Sequence, residues 1–549
     1  MVNLFLRSAL VLALLFGLVF AVGMAIIVVV GLPPWVAVLF ALAVVGLQYL
    51  VGPFILQWIY KIKWTDPAAV DPALAAFLVE ACAKRKIPVP RFGLIEDGNP
   101  NAFTFGHYPG DARLVITRGL LTILEPAEVQ AVVGHELGHI AHWDFVVMTL
   151  AAAVPLVLYV LYATSRVFAG GSGSSKDRGQ VAAIAMVVAL VSYVAYLVSQ
   201  YIVLLLSRVR EYFADRFAGE LTGDPDKLAT ALVKIAYGLA SAKPAESDDK
   251  KKKQSQGDQI RAVAGRSFGI FDPKAAMALA LAGAGTGQFG TAAIEDAMKW
   301  DLWNPWAIWF ELNSSHPLPA KRIKALDKQT EAYGQTPSLA FRAVQTESYW
   351  DEFLVDLFVS FLPWVGLAVG GIVGGTVAVF TGWWLTGLGL AVLGWGMAWW
   401  LQRRRTYGGR FDQEREIASL VREVKVSAVR PIAATIQGRV IGRGVPGLFY
   451  SEDLVLQDDT GFITLDYRQP IGLLNFLFGV FKAEKLIGKS GRALGWYRRA
   501  PRPIFEVRHI IFEDGEKVNT YWYPFSQFFV YAAILVGLAL TVAGPFFGI

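Results

Sequence analysis

The chain has 549 residues, too many for one compact core, and 54% of them are hydrophobic against 17% charged. Its mean hydropathy of +0.44 lies above that of ordinary soluble domains, and the excess is gathered into runs of about 20 apolar residues, the length that crosses a bilayer. The formal charge of +6 comes from Lys and Arg that are scattered or set beside those runs, with no basic stripe interleaved with aromatics, so no nucleic-acid partner is expected.

Residues 9–30 form an unbroken apolar run after Arg7. The run exceeds the core of a signal peptide and a second follows at once at 35–58, so residues 1–60 read as two retained spans. Lys61 and Lys63 come next, which by the positive-inside rule places the amino terminus and the following segment in the cytoplasm. Residues 61–350 read as one unit that contains two further spans, at about 145–169 and 181–206. Before them, 71–86 reads as an amphipathic helix, and 91–95 and 112–117 as short strands around the loop 98–101. Pro126 between Glu125 and Glu128 marks a helix start. The link 170–175 is Gly- and Ser-rich, and 243–258, with its lysine run, reads as a disordered loop.

Two Gly- and Trp-rich spans follow within 357–401, closed by the topology anchor Arg403, Arg404 and Arg405. Residues 406–522 read as a soluble β-rich domain, with strands at 433–441, 453–457 and 462–467 and a hairpin connection at 458–461. A last span at 528–547 brings the total to seven and the carboxyl terminus outside, although the last three could also be re-entrant. The fold class expected is a multi-spanning α-helical membrane protein. It carries an α+β domain at the cytoplasmic face and a C-terminal β-rich domain.

With one cysteine, Cys82, neither an internal disulfide nor a Cys-built metal site is possible, so metal chemistry must rest on His, Asp and Glu. His135, Glu136 and His139 form His-Glu-x-x-His on a predicted helix. Histidines four apart share a helical face and can converge on one ion, and Glu136 beside them can take a proton from the attacking water. The alternative is a coincidental polar face. The same helix is otherwise apolar (Val129, Ala131, Val132, Val133, Ile140), and burying three unpaired polar groups there would be costly. A catalytic zinc needs a third ligand and an open position. Glu211 and Asp215 share a helical face and could supply that ligand and an acceptor that orients a histidine. On spacing alone a solvated charged face fits them as well. The element order favours the ligand reading, because the histidine helix leads into one span and the next span leads out to Glu211.

The stretch from Thr117 to Leu121 and from Gly134 to His142, with Ser207 to Asp215, resembles the HtpX-type membrane zinc endopeptidases, gluzincins related to the CAAX prenyl endopeptidases. The resemblance covers about residues 1–330, and 257–310 departs from its pattern. It implies Glu211 as the third zinc ligand. It also implies that Asn101, Ala102 and Phe103 belong to an edge segment to which an extended substrate adds as a strand. By the same resemblance His316 and Arg322 help to bind substrate or oxyanion, where the alternative is a turn before a basic helix. His142 reads as an interfacial polar residue, and His107 and His509 have no partner at metal spacing.

The function implied is a zinc endopeptidase with one Zn2+ per subunit, in the inner membrane with its site facing the cytoplasm. It would cleave polypeptides in or near the bilayer, in protein quality control. CAAX-type processing, or a non-catalytic scaffold that uses the C-terminal domain to bind a protein partner, are the alternatives. Residues 430–510 are weakly similar to OB-like barrels and to the membrane-associated GIDE domain of certain ubiquitin ligases, from which no activity follows.

Overall fold

The computed structural model describes residues 60–169, 176–237, 291–339, 341, 344–448, 450–499 and 502–548, with residue 46 and short pieces within 49–57. The first expected span, most of the second, the link 170–175, the loop 243–258 and the stretch 257–290 lie outside the described residues.

The amino-terminal part is built on a four-stranded sheet. Its elements are β1 (Lys63–Trp64), α1 (Pro72–Arg85), β2 (Arg91–Ile95), β3 (Ala102–Phe105), β4 (Arg113–Thr117) and α2 (Arg118–Ile123). The spatial order is β1-β2-β4-β3, parallel between β2 and β4 and antiparallel elsewhere, so β3 is an edge among the described residues. Helix α1 starts where a proline can stand first, and the Asp71 carboxylate accepts from the Ala73 and Leu74 amides. Alternate residues of the sheet face opposite sides. Phe92, Leu94, Leu114 and Ile116 join the main core, whereas Ile95 and Val115 pack with Tyr60, Ile62 and Trp64.

Helix α3 (Pro126–Ala141) opens with Pro126 after a Glu128 carboxylate that accepts from the Glu125 amide at 2.8 Å. It breaks at Trp143, whose φ is 60°, and continues as α4 (Asp144–Ala169) after a bend of 61°. Helix α5 (Lys176–Thr222) returns beside both. Gly138 sets the crossing of α3 and α5: a Cβ there would stand 3.0 Å from Ala214 Cα. The helices α6 (Pro225–Tyr237), α7 (Thr291–Trp303), α8 (Pro305–Leu312) and α9 (Pro319–Ala332) complete this part.

Helices α10 (Trp350–Thr381) and α11 (Trp384–Thr406) form an antiparallel pair. At Gly374 and Gly387 the pair is so close that a Cβ would meet the opposite carbonyl at 2.1 Å and 2.6 Å, the small-residue contact suited to helices in lipid. A short α12 (Ile417–Val421) leads into β5 (Ile432–Arg443), β6 (Leu454–Gln457), β7 (Phe462–Asp466), α13 (Gly472–Phe481), α14 (Ala483–Leu486), β8 (Ser490–Arg499), β9 (Pro503–Phe512) and β10 (Lys517–Asn519). Strand pairing runs β5-β6-β7-β9-β8 and back to β5, parallel only at β7–β9, so five strands close into a barrel with β10 on its flank. Closure removes the free edges of those strands. The expected strands at 433–441, 453–457 and 462–467 are β5, β6 and β7; β8, β9 and β10 were not expected.

Helix α15 (Trp522–Phe547) ends the chain and packs on α11. Among the described residues four helices are long and apolar enough to cross a membrane: α10, α11, α15 and 179–222 of α5. The bent α3–α4 pair makes a fifth if counted as one span. The protein is a membrane protein. One contiguous apolar core joins α1, α3 and α6 to the barrel interior, from Leu78 and Val133 to Ile436 and Phe505.

Candidate metal centre

Helix α3 places His135, Glu136 and His139 beside the last turns of α5, and Gly138 is what lets the two backbones come close enough. His135 Nε2 and His139 Nε2 stand 3.1 Å apart, and each lies 3.6 Å from a Glu211 oxygen. One ligand atom from each of these three residues falls within 4.8 Å of the other two. The opposite ring nitrogens are already committed: His135 Nδ1 is 2.9 Å from Asp215 Oδ1, and His139 Nδ1 is 2.6 Å from Asp144 Oδ2. A carboxylate on Nδ1 holds the proton there and leaves the Nε2 lone pair turned inward, the arrangement that supports metal-ligating histidines.

The residues fit a cation on a second observation. Glu211 is buried, and its Oε2 has no hydrogen-bond donor, although Arg322 Nη1 forms an ion pair with it at 3.2 Å. The Glu211 carboxylate and two imidazole lone pairs converge on one point, a donor set that suits a divalent ion.

Arg322 lies at the back of the centre. It is 3% exposed and binds Asp215 bidentately, Nε to Oδ2 at 2.8 Å and Nη2 to Oδ1 at 2.5 Å. Burial alone would lower its pKa, but the adjacent Asp215 and Glu211 carboxylates hold it above its ordinary value. Its guanidinium thus ties the Glu211 carboxylate to Asp215, the partner of His135. His316 sits at the rim, with Nδ1 3.0 Å from Glu211 Oε1.

The edge strand lies over the Glu136 carboxylate. Thr104 Oγ1, on β3, donates to Glu136 Oε2 at 3.0 Å. Asn101 exchanges bonds with Thr117: its amide donates to Thr117 Oγ1 at 2.8 Å, and its carbonyl accepts from the Thr117 amide at 2.9 Å. Ala102 and Phe103 pair with Ile116 and Val115 of β4.

Sequence reasoning missed three residues. Asp144 does for His139 what Asp215 does for His135, and Arg210 holds Asp144 through Nε at 2.6 Å while donating to the His142 carbonyl. Thr104 was the third. An acidic residue five positions after His139, opening the next helix, was the available signal for Asp144. His142 packs edge-on against Phe213 and Phe217, and His107 pairs with Asp111 at 2.6 Å.

A helix carrying two convergent imidazoles with a glutamate between them, completed by a glutamate from a second helix, defines the metallopeptidase class. Comparison with known proteins gives the family. Residues 69–330 match Peptidase family M48. The chain is 40% identical over 236 residues to the protease HtpX homolog of Methanothermobacter thermautotrophicus, a stretch that is 43% of this chain and 86% of that protein. It is 36% identical over 203 residues to the Moorella thermoacetica homolog, covering 37% and 67%. With protease HtpX homolog 2 of Methanosarcina acetivorans it shares 33% over 239 residues, covering 43% and 79%. The crystal structure of S. mikatae Ste24p aligns over 60% of this chain and 67% of that one, at 18% identity and a TM-score of 0.34. The chain belongs to the M48 zinc metallopeptidases and is HtpX-like.

Proposed function

We propose that this protein hydrolyses peptide bonds of membrane or membrane-proximal polypeptides at the cytoplasmic face, in protein quality control, with one zinc ion held by His135, His139 and Glu211. The observation that carries the reading is the convergence of those three ligand atoms within 4.8 Å while both Nδ1 atoms are tied to carboxylates. Bound zinc supplies Lewis acidity toward water and the scissile carbonyl.

The chain's own groups do the rest. Glu136, 4% exposed and held by Thr104, takes the proton of the attacking water and delivers it to the leaving amine. Substrate enters as an extended strand along β3, so that Asn101, Ala102 and Phe103 fix its register through backbone bonds and bring its carbonyl over Glu136. His316, at the rim, donates to the oxyanion as it develops. Asp215, Asp144 and Arg322 hold the ligands in orientation. The soluble part at 61–350 is read as gluzincin-like. The barrel within 406–522 is read as OB-like, since its third and fifth strands pair in parallel and a helix joins the third to the fourth.

Glu136→Gln tests the assignment. The variant is expected to keep its zinc and lose turnover, measured on a membrane-protein substrate in detergent. Proteolysis at the native rate would overturn Glu136 as the base.

A further inference from the structure

Helix α13, on the barrel, carries an apolar stripe that nothing in the described chain covers. Leu473, Leu474, Leu477 and Phe481 recur at helical spacing on one face, with Ile471 just before them, and all are exposed, Leu473 and Phe481 by 59% and 54%. The opposite face is fixed to the barrel. Phe478 stacks on Tyr467 at 3.8 Å between ring centroids, and Gly479 lies so close to the Tyr450 carbonyl that a Cβ would meet it at 2.2 Å. Single exposed apolar residues need no explanation, but a continuous stripe on a rigidly held helix does.

Two sets of contacts tie this helix to segments that border long apolar runs of the sequence. On the amino-terminal side, Gln469 Nε2 donates to the Asn519 carbonyl at 2.9 Å, and its Oε1 accepts from the Tyr521 amide at 3.3 Å. Tyr521 immediately precedes Trp522, the first residue of α15. On the carboxyl-terminal side, Glu484 of α14 binds Lys61 Nζ at 2.7 Å, and the Lys61 amide donates to the Gly447 carbonyl at 3.0 Å. Lys61 follows the apolar run 35–58 directly. The stripe therefore lies between the first turn of α15, a helix long and apolar enough to cross a membrane, and Lys61, which follows the apolar run 35–58 in sequence. Trp522 and Tyr523 belong to the residue types that mark a membrane interface. Lys482 and Lys485 follow the helix, and Lys485 is exposed, a charge suited to anionic headgroups.

We infer that α13 is an in-plane membrane anchor, with Ile471, Leu473, Leu474, Leu477 and Phe481 seated in the headgroup–acyl boundary of the leaflet from which Lys61 and Trp522 emerge. The lipid surface is the occupant because it is already the neighbour on both sides of the helix. The barrel is thereby held flat against the membrane at a third point besides α11 and α15. The inference is independent of the proteolytic reading.

The test uses the full-length protein in nanodiscs of phosphatidylcholine and phosphatidylglycerol, with Leu473→Cys carrying an environment-sensitive fluorophore. Cys82, the native cysteine, is buried and does not compete for the reagent. The label is expected to emit blue-shifted light, to lose most of its emission to lipids bearing a nitroxide near the headgroup, and to be protected from iodide. Access to iodide would overturn the inference. So would protection from both quenchers, the result of cover by a second copy or a protein partner.

Discussion

The metal centre and the seam between α7 and β8 both bury charge, and they differ in what surrounds it. At the seam Asp301 is buried, yet both of its oxygens are met from within the chain. Arg499 Nη2 donates to Oδ1 at 2.9 Å, and the Tyr237 hydroxyl and the Ala320 amide donate to Oδ2 at 2.6 and 3.3 Å. At the metal centre the Glu211 carboxylate also has partners, Arg322 and His316, but two imidazole lone pairs converge on it as well. A network closed by its own donors holds elements together. One that also gathers three convergent ligand atoms offers a seat to a divalent cation.

Substitutions can break that contrast. The largest effect is expected for Glu211→Ala, which removes one of the three convergent ligands: zinc retention after purification and proteolysis should both be lost. At the seam, Arg499→Met leaves Asp301 buried and unpaired, at a cost of about 3–5 kcal/mol, seen as a lowered thermal midpoint. The double variant Arg499→Met with Asp301→Asn should recover most of that loss, because the buried charge leaves with its partner and the amide oxygen still accepts from Tyr237 and Ala320. The matching double change at the metal centre, Glu211→Gln with Arg322→Met, should not restore activity. A seam double as unstable as the single would erase the distinction.

Asp144→Asn is expected to be milder. It weakens the hold on His139 Nδ1, and loss of such a supporting carboxylate costs about 10–100-fold in metal affinity or activity, measurable by zinc titration with a competing chelator. A further effect concerns pH at the junction of the sheet with the barrel. Asp97 accepts from the Asn99 amide, and burial, the leading cause, pushes its pKa from 3.8 to about 6. A raised acid favours the folded state fully below its unfolded pKa and loses that contribution as pH rises through its folded one. This group should therefore contribute a fall in stability between about pH 4 and 6, of the order of 3 kcal/mol or less. Asp97→Asn should flatten that part of the thermal-midpoint profile.

What could be read from the residues follows from how local each feature is. His135, Glu136 and His139 sit on one turn of a strongly patterned helix, and Glu211 and Asp215 repeat at four, so periodicity brings each set onto one face before any packing is known. The apolar runs behind α10, α11 and α15 are legible for the same reason. Asp144 was not, because it stands beyond the break at Trp143, and only the 61° bend turns it back on His139. Thr104 reaches Glu136 only through the β3–β4 pairing. Strand β8 escaped notice because Gly491 and Gly495 dilute the alternation and Arg498 and Arg499 are buried, where a sequence reading expects arginine to be solvated. The closure of the barrel is non-local, and its register is set by partners up to about 65 residues apart, as between Ile432 and Tyr497.

Elemental analysis of the full-length protein, purified without any chelator, bears most directly on the metal centre. One zinc per chain is expected in the native protein and in Glu136→Gln, and none in Glu211→Ala. A native chain that cleaves its substrate while carrying no metal would contradict the account.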